Sequence, residues 1–135
     1  MIRYRLKWPV VGLTGAAGCG KDTAAGLITR FVAVHRMALA APIKEAINAL
    51  FQLAPVSWDN REWKETPSPF MADRSPRFLA QTLGTEWGRQ TVSEDLWVRI
   101  LAQRLELAKL RKDWPAVITD VRFPNEARWV REQGG

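Results

Sequence analysis

Between Val10 and Leu27 the chain reads VVGLTGAAGCGKDTAAGL, and no other stretch limits the possible folds so strongly. An apolar, β-branched run leads into a glycine-rich loop, and a helix-forming segment leaves it. Gly15, Gly20 and Lys21 fit the spacing G-x-x-x-x-G-K. In that device, backbone N–H groups and a helix N-terminus converge on phosphate oxygens while the lysine reaches the outer phosphates. It needs a strand before the loop and a helix after it. Both are read here without reference to the glycines. WPVVGLTG has the pattern of a buried strand, and Ala24, Leu27, Ile28 and Phe31 recur at helical spacing. The plainer alternative is a glycine turn joining strand to helix, with Lys21 solvated.

The motif departs at its last position. Asp22 stands where a Ser or Thr hydroxyl normally ligates Mg²⁺. A carboxylate is also a hard oxygen ligand, and Thr23 offers a hydroxyl one position later. Asp22 would also repel nucleotide phosphates unless a metal or a proton neutralised it. Its structural alternative is an acidic first turn that complements the helix N-terminus.

The remaining chain reads as strands separated by helices. Arg36–Ala40 is a candidate second strand, and PAVITD, ending on Asp120, a third. A helix starts at Pro42 and runs through Phe51. From Gln52 to Arg74 the periodicity dissolves among Pro55, Pro67 and Pro69, which predicts a long loop. Ser75-Pro76 marks the next helix start, as N-cap and first-turn proline. Ser93 starts another, with Trp97, Ile100, Leu101, Leu105 and Ala108 as its apolar stripe. NEARWVREQGG is a final helix closed by Gly134. This alternation predicts a parallel α/β sheet flanked by helices. Ligands of such sheets sit at the carboxyl ends of the strands, where Gly15 and Asp120 both fall. Arg122 lies two residues beyond Asp120 at the same mouth.

With 135 residues, the chain is long enough for one compact domain with a core. Its net charge of +6 favours anionic partners. The basic residues are scattered and form no block, which favours small phosphate ligands over a nucleic acid. Cys19 is the single cysteine, so no internal disulfide forms, and a reducing cytoplasm fits. No apolar run approaches transmembrane length. The basic MIRYRLK before a mildly apolar stretch faintly imitates a secretory signal with Cys19 as lipid acceptor, but Pro9, Gly12 and Gly15 interrupt it.

A second constellation lies beyond Pro76. Arg77, Gln81, Thr85 and Arg89 are spaced by four and form one polar stripe on a helix. Gly84 and Gly88 beside it leave room for something to approach, while Leu79, Leu83 and Trp87 look like a core face. A solvated surface is the usual explanation of such a stripe, but a solvated surface normally mixes acids with bases. Arginine reads phosphate bidentately, and glutamine can read a base edge with donor and acceptor, so the stripe is a candidate substrate face.

Three blocks, GAAGCGKDT, SPRFLAQTLGTEWGR and ITDVRFPNEA, together resemble the deoxynucleoside monophosphate kinase family of bacteriophages and prophages, within the P-loop kinases. The resemblance spans most of the chain and includes the aspartate after the loop lysine. It implies transfer of the γ-phosphoryl group of ATP to a deoxynucleoside monophosphate, with Mg²⁺. Gly15, Ala17, Gly18, Cys19, Gly20, Lys21, Asp22 and Thr23 would then hold ATP. Asp22, Thr23 and Asp120 would organise the metal. Lys21, Asp22, Arg77 and Arg122 would act on the transferring group. Arg77, Gln81, Thr85, Trp87 and Arg89 would take the monophosphate and its nucleoside, in an acceptor region of about 52–92. Two other functions stay open: a kinase of a non-nucleotide substrate, of the dephospho-coenzyme A kinase type, and a nucleotide or nucleic-acid binder without turnover. Kinases of this type usually build five strands and a basic lid. Only three strand candidates are found here before Gly135, so the expectation is a kinase core lacking its C-terminal part, slow in turnover and prone to associate, with a homodimer as the form of that association.

Overall fold

The computed structural model describes residues 9–54 and 58–135; the N-terminal basic stretch, Trp8 of the expected first strand and Pro55 lie outside the described residues. In chain order the elements are β1 (Val10–Gly12), α1 (Lys21–Phe31), β2 (His35–Met37), α2 (Ala41–Phe51), α3 (Arg61–Glu65), a 3₁₀ turn (Pro69–Met71), α4 (Pro76–Gln81) running into a π-helical segment (Thr82–Val92), α5 (Leu96–Arg111), β3 (Ala116–Ile118) and α6 (Pro124–Glu132). Contacts divide the chain into two compact units. One takes the described residues up to Leu39 together with Val98–Gly135, and the other takes Ala40–Trp97.

The first unit holds a parallel sheet in the order β1-β3-β2. Its central strand is the sequence-read PAVITD, and Ala116, Val117 and Ile118 are fully buried. A strand buried on both faces reads as a continuous apolar run, which is why it stood out. Single hydrogen bonds extend the ladder at its carboxyl end, with Leu13 N donating to Ile118 O at 2.8 Å and Val121 N to Leu13 O at 3.1 Å. The second strand lies at His35–Met37, not at Arg36–Ala40. Thr119 N still donates to Met37 O, but Leu39 N turns to the Asp120 carboxylate instead of a strand partner, and the ladder stops there. Val10, Leu39, Val98, Leu101, Leu105, Val121 and Val130 are further buried apolar residues of the unit. In α1 the inward residue is Ala25, one position round from the expected stripe. Leu27 and Phe31 are therefore exposed.

The second unit corrects the long loop expected over 52–74. Asn60 caps α3, its side chain accepting from Trp63 N at 2.9 Å. Trp58 is buried, donates through Nε1 to Asn48 Oδ1 at 2.6 Å, and meets Trp63 edge-on at 5.3 Å between ring centroids. The element is short, too short for periodicity to reveal. Ser75 caps α4 as expected, its hydroxyl accepting from Phe78 N. Beyond Gln81 the helix widens to i→i+5 bonding. Ser93 N donates to Gly88 O, and Thr91 Oγ1 to Glu86 O, each five residues apart. The expected core face of Leu79, Leu83 and Trp87 is not the buried one. The two leucines are half-buried and Trp87 is exposed, while Gly84 and Gly88 are buried in their place.

Candidate active site

In the first unit the glycine loop leaves β1 and feeds α1. Thr14 to Gly20 are exposed throughout. Gly18 and Gly20 take φ of +77° and +95°, and a Cβ built on either meets nothing within 4 Å. Their backbones therefore adopt a left-handed geometry that side chains disfavour, and they face open space. Gly20 is the N-cap of α1 and offers it no side-chain cap, so α1 presents its first N–H groups to whatever occupies that space. Lys21 folds back over the loop, donating to Gly15 O at 2.6 Å and Ala16 O at 2.9 Å, with Cys19 Sγ 3.8 Å away. Exposed loop and helix-end N–H groups with an ammonium beside them are suited to an anion.

Asp22, in the first turn of α1, pairs with Arg36 of β2 (Oδ1 to Nη2, 2.9 Å). Thr23 follows it and is exposed. Asp120 lies past the carboxyl end of β3, beside the strand that delivers the loop, and its Oδ1 accepts from Leu39 N at 2.7 Å. Arg122 is exposed, and its backbone N–H is held by Glu126 Oε2 at 2.7 Å, which also accepts from Phe123 N at 2.9 Å. Thus Gly15–Thr23, Asp120 and Arg122 are all placed at the carboxyl end of one parallel sheet. Among the described residues no three acidic, His or Cys side chains converge. A hard divalent cation here would draw most of its ligands from phosphate and water, with Asp22, Thr23 and Asp120 the protein oxygens to hand.

Two of these contacts were missed in the sequence. Glu126 is 5% exposed, a buried carboxylate that fixes the turn carrying Arg122. Its signal was present: Pro124 opens α6 and a glutamate stands at its third position, where a side chain can reach back to the N-cap backbone. Arg36 left no local signal, since its partner lies in another element.

The second unit carries the polar stripe, with two corrections. Gly84 and Gly88 do not leave room for a ligand. A Cβ at Gly84 would lie 2.9 Å from Ile43, and one at Gly88 would lie 2.6 Å from the Trp97 ring. Trp97 Nε1 also donates to Gly84 O at 2.7 Å in a buried contact. Nor is the stripe free of acids in space. Arg77 pairs with Glu65, and Arg89 Nη2 stands 3.4 Å from Glu94 Oε1. Arg77 and Gln81 are exposed, Thr85 is half-buried, and Arg89 is mostly buried with a side chain 13% exposed.

The sheet, its helices and the loop define an α/β fold of the nucleotide-kinase kind. Comparison with known proteins narrows this. A protein of Acanthamoeba polyphaga mimivirus, provisionally named a deoxynucleotide monophosphate kinase, is 31% identical over 141 residues, covering 93% of this chain and 70% of the relative. The deoxynucleoside-5'-monophosphate kinase of Escherichia phage T5 is 29% identical over 184 residues, covering 91% of this chain and 72% of the relative. The chain belongs to the deoxynucleoside monophosphate kinase family. The T5 alignment is longer than the 135 residues of this chain, so the phage protein carries segments inside the aligned region that this chain lacks. No family model matches the chain, and no solved structure does. No helix of the described residues is long and apolar enough to cross a membrane.

Proposed function

We propose that this chain phosphorylates a deoxynucleoside monophosphate at the expense of ATP. The observation that carries the reading is the open glycine loop between β1 and α1, with Lys21 at its rim, in a chain of this family. Phosphoryl transfer asks a protein mainly to position reactants and to neutralise spreading charge. The loop N–H groups from Gly15 to Thr23 bind and orient the ATP phosphates. Lys21 exchanges its two loop carbonyls for phosphate oxygens and stabilises charge on the transferring group. Mg²⁺ supplies further charge neutralisation and a template for the phosphate oxygens when bound. Asp22, Thr23 and Asp120 are the residues that would hold it. Arg122, fixed by Glu126 at the mouth of the sheet, adds a second cation. In the second unit Arg77 and Arg89 take the acceptor phosphate, and Gln81, Thr85 and Trp87 take its nucleoside.

The test is ADP formation from MgATP with each of the four deoxynucleoside monophosphates, beside dephospho-coenzyme A as competitor class. Turnover is expected with at least one monophosphate and not with dephospho-coenzyme A. ATP binding without turnover on any acceptor would leave a nucleotide binder and overturn the kinase reading.

A further inference from the structure

An aspartate is an awkward residue at the mouth of an anion site. Asp22 occupies the first turn of the helix whose N-terminus faces the open loop, and its carboxylate competes with any phosphate for the same positive helix end. Metal-free ATP would meet like charge there. The structure shows how that charge is met. Arg36 stands on β2 between His35 and Met37, which are half-buried, while Arg36 itself is exposed. Strand alternation sends its side chain to the opposite face from its neighbours. It reaches across 14 positions of sequence to place Nη2 2.9 Å from Asp22 Oδ1.

Fold stability is a poor reason for this pair. The two side chains are 44% and 87% exposed, and ion pairs so open to water contribute little to folding. Position is a better reason. One guanidinium, delivered by the next strand, turns the loop from a site bearing a cation and an anion into one with a net positive charge.

We infer that Arg36 is a positioning residue of the nucleotide site: it holds the Asp22 carboxylate and cancels its charge, so that the loop accepts the phosphates before a divalent cation is in place. A divalent cation held near Asp22 would supply part of the same neutralisation. Arg36 should therefore matter most without metal. The inference rests on the phosphate-loop reading proposed above.

The experiment is titration of the full chain with ATP, once with chelator and once with saturating Mg²⁺. The proteins are wild type, Arg36→Ala, Arg36→Lys, Asp22→Asn and the double variant Arg36→Ala/Asp22→Asn. Thermal melts confirm that each is folded. In chelator, Arg36→Ala is expected to weaken ATP about tenfold, Arg36→Lys to stay within about threefold of wild type, and the added Asp22→Asn to recover most of the loss. Saturating Mg²⁺ is expected to shrink the Arg36→Ala loss, a response that a purely structural arginine would not give. If Arg36→Ala does not fold, the single Asp22→Asn variant decides. Removing the carboxylate should then tighten metal-free ATP, and unchanged or weaker binding overturns the inference. It also falls if Arg36→Ala binds metal-free ATP like wild type, or if Asp22→Asn rescues nothing, while the loop reading survives because wild type still binds. A wild-type chain that takes no ATP under either condition sinks the loop reading and the inference together.

Discussion

Glycines stand at key places in both units of this molecule, and they do opposite things. Gly18 and Gly20 in the loop have positive φ and nothing where a Cβ would stand. Gly84 and Gly88 sit in helical backbone, and the space a Cβ would need is already filled by Ile43 and by the Trp97 ring. The first pair leaves open space outside the backbone. The second pair closes room on the inside, so that Trp97 can pack against a helix and donate to Gly84 O. One residue type thus lines open surface in one unit and a close-packed joint in the other. Only the surroundings tell them apart.

The largest expected effect separates the loop from the rest. Lys21→Ala should lower phosphoryl transfer by about 10²–10³-fold, the usual loss of one preorganised charge-stabilising donor. Lys21 donates to two loop carbonyls and to the Cys19 sulfur, all at an exposed site, so the melting temperature should hardly move. Steady-state kinetics beside a thermal melt check both halves. Near-normal turnover in a folded variant rejects the role given to Lys21.

The second prediction reverses that pattern. Gly88→Ala places a methyl group 2.6 Å from a buried indole ring, and overpacking of that kind costs about 1–3 kcal/mol. A chain of this length should then melt several degrees lower. Gly84→Ala should cost less, because the nearest atom it meets is the terminal Cδ1 of Ile43, the far end of a flexible side chain. Gly88→Ala melting with the wild type would show that the Trp97 ring gives way at no cost and that this joint is not tightly packed.

The sequence told these two regions apart unequally, for a physical reason. The loop is a local device. All of it lies in one continuous stretch from Val10 to Phe31, and its strand and helix carry their own periodicities. It was legible down to the departure at Asp22. The central strand was legible too, as an apolar run buried on both faces. The helix beyond Pro76 was legible only in its start, where Ser75 and Pro76 act locally. Its continuation depends on tertiary packing. The widening to i→i+5 bonds changes which residues face inward, and no local pattern announces that Gly84 and Gly88, rather than Leu83 and Trp87, will be buried. The stripe looked free of acids because Glu65 comes from another element. Arg36 was missed for the same reason.

The third prediction tests the acceptor side. Arg77 is exposed and paired with Glu65, so Arg77→Ala should leave the melting temperature nearly unchanged. If it holds the acceptor phosphate, the monophosphate KM should rise about tenfold, the loss of roughly one charge-assisted contact, while the KM for ATP stays put. Equal weakening of both substrates, or of neither, would remove Arg77 from the acceptor site and leave its stripe a surface.

The smallest effect is the most local. Cys19 is exposed in the loop, with Sγ 3.8 Å from Lys21 Nζ. A Cβ on Gly15 would come within 2.6 Å of that sulfur, so the thiol lies against the loop backbone with little slack on that side. An alkyl group added to Sγ must therefore project into the open space beside the loop or push the loop apart, and either outcome crowds the space assigned to phosphate. Bound ATP should in turn screen the sulfur. Labelling with iodoacetamide, followed by mass spectrometry, is expected to slow about threefold or more at saturating ATP, as mass action requires when the nucleotide-bound form resists the reagent. The labelled chain should take up less ATP than the untreated one. Because Cys19 is the single cysteine, the readout is unambiguous. Equal labelling rates with and without ATP would place the sulfur outside the phosphate site, and the loop would then have to receive its anion from the Gly20 side alone.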